Sequence, residues 1–168
     1  GMRPSAPFSL SRTQRAEPLE PVYTATRVDE ADRTILELDG KPAEEVYDAG
    51  IGIPPGDLSD DHFLMYPLGV IMDGDPFVRA GRHILANGGL QLFCSVCEGQ
   101  RLHLMRTGDI LVTTAATLEA RRRHLGGIQA LIDFDCAHRA MAVEAEGLEA
   151  QYSGLFEGME TAGFFTFG

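Results

Sequence analysis

Continuous apolar runs are what the sequence lacks first. No segment approaches the ~20 apolar residues that a membrane helix needs. The leading stretch "GMRPSAPFSLSRTQRAEP" has no apolar core of the kind a secretory signal carries. Cysteine is scarce: there are 3 in 168 residues, an odd number without the paired spacing of a disulfide framework. Reduced thiols in a cytoplasmic protein are the plain reading. Positive charge is also in deficit, with 14 Lys and Arg against 25 Asp and Glu, a net charge of -11 and a pI of about 4.8. Such a surface repels phosphate backbones, which argues against nucleic acid and against an anionic membrane as partners. There is no internal repeat, no low-complexity segment and no GxSxG-type nucleophile motif.

What is present fits about one domain with an ordinary core, 44% hydrophobic and 23% charged. The Gly before Met reads as a tag remnant, and the chain as a piece of something longer. Residues 1–20 hold prolines and little periodicity, so a mobile lead-in is expected there, with the domain over 21–168. "VYTATRV" and "RTILELDG" around the turn "DEAD" predict a β-hairpin. "DGKPAEEVYDAG" predicts a short helix with Pro42 in its first turn and Gly50 as its stop. The acidic "IGIPPGDLSDDH" reads as a loop. "HFLMYPLGVIM", "PFVRAGRHIL", "LQLFCSV" and "RLHLMR" read as an antiparallel meander of about four strands, with a turn at Asn87-Gly88-Gly89.

Beyond residue 112 the period changes. "TTAATLEARRRHLGG" predicts a helix capped by Thr113 or Thr114 and stopped at Gly126-Gly127. "IQALIDFD" predicts a strand buried in the middle of a sheet, "EAEGLEAQYSGLFEG" a second helix, and "TAGFFTFG" a last strand. Helix-strand-helix-strand order favours parallel pairing. The expected fold class is α/β with a mixed sheet: an antiparallel meander extended by parallel strands through helical crossovers.

Chemistry-bearing residues crowd most closely in "LIDFDCAHRAM", where Asp133, Asp135, Cys136, His138 and Arg139 follow an apolar strand. The carboxyl end of a strand in an α/β sheet is where ligands bind. A binding-pocket rim, a purely structural cluster and a Cys–His nucleophile pair are the three readings. Against the last, no oxyanion-type glycine stands beside Cys136. Cys94 and Cys97 form a single CxxC, but Leu90, Leu92, Cys94 and Val96 alternate as one strand face, which turns Cys97 away. Structural cysteines are expected there, not a metal site. The histidines His62, His83, His103, His124 and His138 are scattered singly. "EARRRHL" reads as a solvated helix end whose cations complement the helix dipole, with a docking patch for an acidic partner as the alternative.

The blocks "ILELDGKPAEEVYDAG", "FLMYPLGV", "FVRAGRHILANGGLQLFCSVCEGQRLHLMR", "LIDFDCAHRAM" and "AGFFTFG" together resemble the C-terminal half of FIST domains (F-box and intracellular signal transduction). The similarity runs over about residues 20–168 and rests on the order and spacing of all five blocks. It implies a sensory input module of intracellular signalling proteins, often bacterial, preceded by a FIST N-terminal domain and joined to output modules. It also implies small ligands, amino acids being the suggested class, and no enzymatic motif. Haem is a cofactor associated with some members; otherwise none is implied. Where many members read Ser-Cys-x-Gly-Arg, this chain has Asp135, Cys136, Ala137, His138 and Arg139. The closing block matches at Gly163, Phe164, Thr166 and Gly168, after which the family normally continues.

The resulting expectation is a non-enzymatic, cytoplasmic, small-ligand-sensing module. Its cleft would be lined by Phe134, Asp135, Cys136, His138, Arg139, Gly163, Phe165 and Thr166, with the Arg139 fork facing a ligand carboxylate. The alternatives are a protein-interaction or scaffolding domain, as in F-box-associated members, and haem-linked gas sensing with the N-terminal domain. The apolar closing strand, with Phe164, Phe165 and Phe167, predicts self-association as a homodimer.

Overall fold

A computed structural model describes residues 6–166. Phe167 and Gly168 of the closing block, and the first residues of the expected lead-in, lie outside the described residues. The chain forms two compact units, one of residues 16–107 and one of residues 108–166 with the segment up to residue 15. The fold is mixed α/β, as the sequence implies.

In the first unit the strands β1 (Ala16–Asp29), β2 (Thr34–Leu38), β3 (Lys41–Pro42), β4 (Leu68–Met72), β5 (Asp75–Arg79), β6 (Gly81–Ile84), β7 (Leu90–Leu92) and β8 (Arg101–Thr107) form an eight-stranded antiparallel sheet. Its order is β5-β4-β8-β1-β2-β7-β6, with β3 paired to β2. The β1–β2 hairpin is as expected, but β1 begins at Ala16, inside the predicted lead-in. The remaining strands are not a simple meander. "PFVRAGRHIL" breaks at Ala80, so that β5 pairs with β4 at one end of the sheet and β6 pairs with β7 at the other. The turn that makes β4–β5 possible is Asp73-Gly74, both at positive φ. Two successive left-handed residues are what a tight hairpin of matching twist demands.

The expected strand "HFLMYPLGVIM" splits for a similar reason. His62–Met65 is a short helix, α2, and Pro67 separates it from β4. Helix α1 (Ala43–Ile51) follows Pro42, as predicted, but stops at Gly52, which is left-handed, and not at Gly50. Gly50 serves packing instead: a Cβ there would lie 2.1 Å from the Tyr23 hydroxyl. Tyr47 on α1 is fully buried and meets Phe63 of α2 at a centroid distance of 5.5 Å. Around them Ile35, Leu38, Leu68, Leu90, Leu102 and Leu104 complete the core of this unit. Each such aliphatic side chain contributes roughly 1.5–3 kcal/mol by leaving water.

The second unit holds α3 (Ile110–Leu125), β9 (Ala130–Cys136), α4 (Ala137–Ala145), α5 (Glu149–Gly154) and β10 (Glu160–Thr166). The cap of α3 is Asp109, whose carboxylate accepts from the Val112 N–H at 2.9 Å, and not Thr113 or Thr114. Gly126 ends this helix in the left-handed region, as expected. β10 runs parallel to β9, in register from Glu160 opposite Ala130 to Thr166 opposite Cys136. The parallel strands nevertheless do not extend the meander, because β9 and β10 make a separate two-stranded sheet. β9 is also not buried on both faces: its even-numbered residues are exposed and its odd-numbered ones half-buried. The sequence shows a continuous apolar run, but Asp133 and Asp135 give it a two-faced pattern.

Candidate functional site

The cluster read from "LIDFDCAHRAM" is divided by the pleat of β9 and by a helix the sequence did not announce. Helix α4 begins at Ala137, immediately after the strand. This short connection swings Arg139 back over the strand end. Its Nε donates to Asp135 Oδ1 at 2.9 Å, with both side chains about nine-tenths buried. The same guanidinium donates to Thr114 Oγ1 at 3.1 Å and to Thr13 Oγ1 at 2.5 Å. The second oxygen of Asp135 accepts from the Tyr152 hydroxyl at 2.7 Å, and Thr166 Oγ1 donates to the Asp135 carbonyl at 3.3 Å. The carboxylate of Asp135 thus collects groups from α4 and α5, and its backbone carbonyl one from β10.

Of the expected lining residues, this brings together Asp135, Arg139 and Thr166. Phe134 and Cys136 share the opposite, exposed face of β9. Phe165 pairs with Asp135 across the sheet and lies on the Asp135 face, more than half exposed. His138 sits half-buried in the first turn of α4, and burial pulls its imidazole below the usual histidine value. Gly163 has a backbone role: a Cβ there would fall within 1.9 Å of the Asp133 carbonyl oxygen. The Arg139 fork, expected to face a ligand carboxylate, is engaged by Asp135, Thr13 and Thr114, so a ligand carboxylate would have to compete with Asp135 for it.

Two members of the cluster were not assigned from the sequence. Tyr152 lies within the helix predicted over "EAEGLEAQYSGLFEG", with no site role expected of it; its ionisation is held well above the usual tyrosine range, chiefly by burial and next by its bond to Asp135. Asp133 faces the same side as Asp135. Burial first, and then the charge of Asp135, push its carboxyl up, while Arg139 partly offsets this. The alternation of Asp133 and Asp135 two residues apart was the available signal for both carboxylates sharing one face.

A second feature lies at the other end of the parallel pair. Ile128, Gln129, Ala130, Gly158, Met159 and Glu160 line an open hollow of about 670 Å³. The cysteines are free thiols. Cys94 packs against the core and its thiol is pushed up by burial, whereas Cys97 is exposed. Among the described residues no group of three or more His, Cys, Asp or Glu could hold a metal ion. Arg122, Arg123 and His124 do occupy the last turn of α3.

The geometry is that of a mixed α/β chain with a polar cluster at the carboxyl ends of a parallel strand pair. The family model of the FIST C domain matches residues 43–168, three quarters of the chain. The chain therefore belongs to the FIST C domain family, a signal-transduction sensor-type domain. No curated protein matches it, and no solved structure does.

Proposed function

We propose that the chain is a small-ligand-sensing input module of an intracellular signalling protein, working without catalysis and without a resident cofactor, with amino acids as the ligand class. The observation that carries this reading is the Asp135-centred cluster. Three separate elements converge on this one residue at the strand ends, α4 and α5 on its carboxylate and β10 on its backbone carbonyl. A ligand that binds there competes for the bonds that tie these elements to Asp135, which is how occupancy becomes a change of shape. Cytoplasmic location, a FIST N-terminal domain and output modules as partners belong to the same proposal. No described helix is long and apolar enough to cross a membrane. A thermal-shift screen of the twenty amino acids on the purified chain tests the reading. A dose-dependent rise in Tm with one or a few of them is expected; a flat response to all of them sinks it.

One observation favours a second property, self-association. Ile132, Phe134 and Phe164 are 71%, 63% and 61% exposed on one face of the parallel pair. Parallel sheets are ordinarily covered on both faces.

A further inference from the structure

The segment leading into β1 has no secondary structure, yet it lies within the same compact unit as α3 and α4. Apolar burial does not hold it there: Phe8 is 66% and Leu10 86% exposed. Polar side chains fasten it instead. Thr13 Oγ1 accepts from Arg139 Nη2 at 2.5 Å, and the Thr13 carbonyl accepts from the same nitrogen at 3.5 Å. Ser9 Oγ accepts from Nη1 of Arg121, on α3, at 3.2 Å. Arg15 reaches Glu146, the C-cap of α4, at 3.4 Å. The foot of the segment is firmer. The Gly108 N–H donates to the Arg15 carbonyl at 2.7 Å, and Ala16 then enters the β1–β8 ladder opposite Thr107.

Such fastenings open more readily than a packed interface. A side-chain hydrogen bond exchanges for one with water, so its net contribution is small. A segment with few buried apolar contacts opens at lower free energy than the core beneath it. The Ser9 end is also incompletely satisfied, since Arg121 Nε is buried with no acceptor among the described residues. At the Thr13 end, opening has a specific consequence. The Arg139 side chain is 10% exposed, with Nε on Asp135, Nη1 on Thr114 and Nη2 on Thr13. Asp135 and Thr114 belong to β9 and α3, whereas Thr13 comes from the segment.

We propose that residues 9–13 act as a strap, hinged at Arg15, that opens while α3, α4 and β9 stay folded and thereby exposes the Nη2 side of Arg139. Opening controls when this guanidinium is reachable from solvent. It needs no ligand, so it stands or falls apart from the sensory reading.

The test follows the full chain by limited trypsin digestion and, in parallel, by phenylglyoxal modification of Arg139, both read by peptide mass spectrometry in urea below the unfolding transition. Cleavage after Arg12 should come first, at a rate nearly independent of urea, because a local opening exposes little surface. Thr13→Val, which loses the hydroxyl acceptor, should raise that cleavage and the modification of Arg139 by the same factor, roughly tenfold or more. Thr13→Ser, which keeps the hydroxyl, should leave both rates near those of the wild type. Four results overturn the proposal: cleavage after Arg12 that rises with urea as steeply as cleavage within α3, no response of either rate to Thr13→Val, faster cleavage in that variant with no change at Arg139, or Thr13→Ser behaving as Thr13→Val. Should Thr13→Val not fold, the urea dependence of cleavage in the wild type decides alone.

Discussion

Asp135 and Arg139 form an ion pair across a change of secondary structure: the acid is the last residue but one of β9, the base lies in the first turn of α4, and Nε and Oδ1 are 2.9 Å apart. The pair is about nine-tenths buried, and each partner has further hydrogen bonds, Arg139 to Thr13 and Thr114 and Asp135 to Tyr152. Such a pair contributes little over an apolar replacement, yet losing one partner strands a buried charge. Asp135→Ala should therefore lower the stability of the unit formed by residues 108–166 by roughly 3–5 kcal/mol. Urea unfolding measures this, and a loss below about 1 kcal/mol would show that the pair is far more hydrated than its burial implies.

Asp133 makes the opposite prediction. Its carboxyl is raised in the folded chain, chiefly by burial. A raised acid binds a proton more tightly folded than unfolded, so its contribution is fully present below the unfolded value of about 3.9 and is lost as pH rises through the folded value. Asp133→Asn should then be more stable than the wild type at pH 7, with the advantage shrinking toward pH 3. Denaturation midpoints across that range are the readout; a destabilised variant at pH 7 would contradict the sign.

Gly69 in β4 is a packing requirement and not a turn. A Cβ there would lie 2.2 Å from the Met105 Cε and 2.8 Å from the Phe77 backbone oxygen. Met105 is fully buried, and Gly69 lies opposite Val78 in the β4–β5 ladder, so neither neighbour can yield freely. Gly69→Ala should cost roughly 1–3 kcal/mol by overpacking. Thermal unfolding of the variant checks this, and an unchanged Tm would mean that β5 shifts at no cost.

The Phe134 and Phe164 rings meet edge to face at 5.0 Å on the exposed side of the parallel pair. If that face seats a second copy, Phe164→Lys should dissociate the dimer, and the dimer itself should persist in high salt because the contact is apolar. Light scattering at high micromolar concentration decides, and a monomeric wild type rules the dimer out.

Local chemistry made most elements legible. The β1–β2 hairpin, α1 after Pro42, α3 stopped at Gly126 and the parallel pairing of β9 with β10 follow from turn residues, caps and period. What escaped depends on contacts distant in sequence. The separation of β5 from β6 at Ala80 and the detachment of β9–β10 from the large sheet are decided by tertiary pairing, which propensity does not encode. Helix α4 was missed because the next helix was expected only from "EAEGLEAQYSGLFEG" onward, whereas the helix starts directly after the strand and sets Arg139 on Asp135. Within the site, Asp135 and Arg139 were visible as a polar crowd. Their being partners, with Tyr152 completing the set, required the fold.

The most direct test of the central claim is amide NMR mapping of the chain with the amino acid that most raises its Tm. The sensory reading predicts shifts concentrated at residues 133–139, at Tyr152 and at 163–166, where α4, α5 and β10 converge on Asp135. Shifts centred instead on the hollow at residues 128–130 and 158–160, or within residues 16–107, would contradict it.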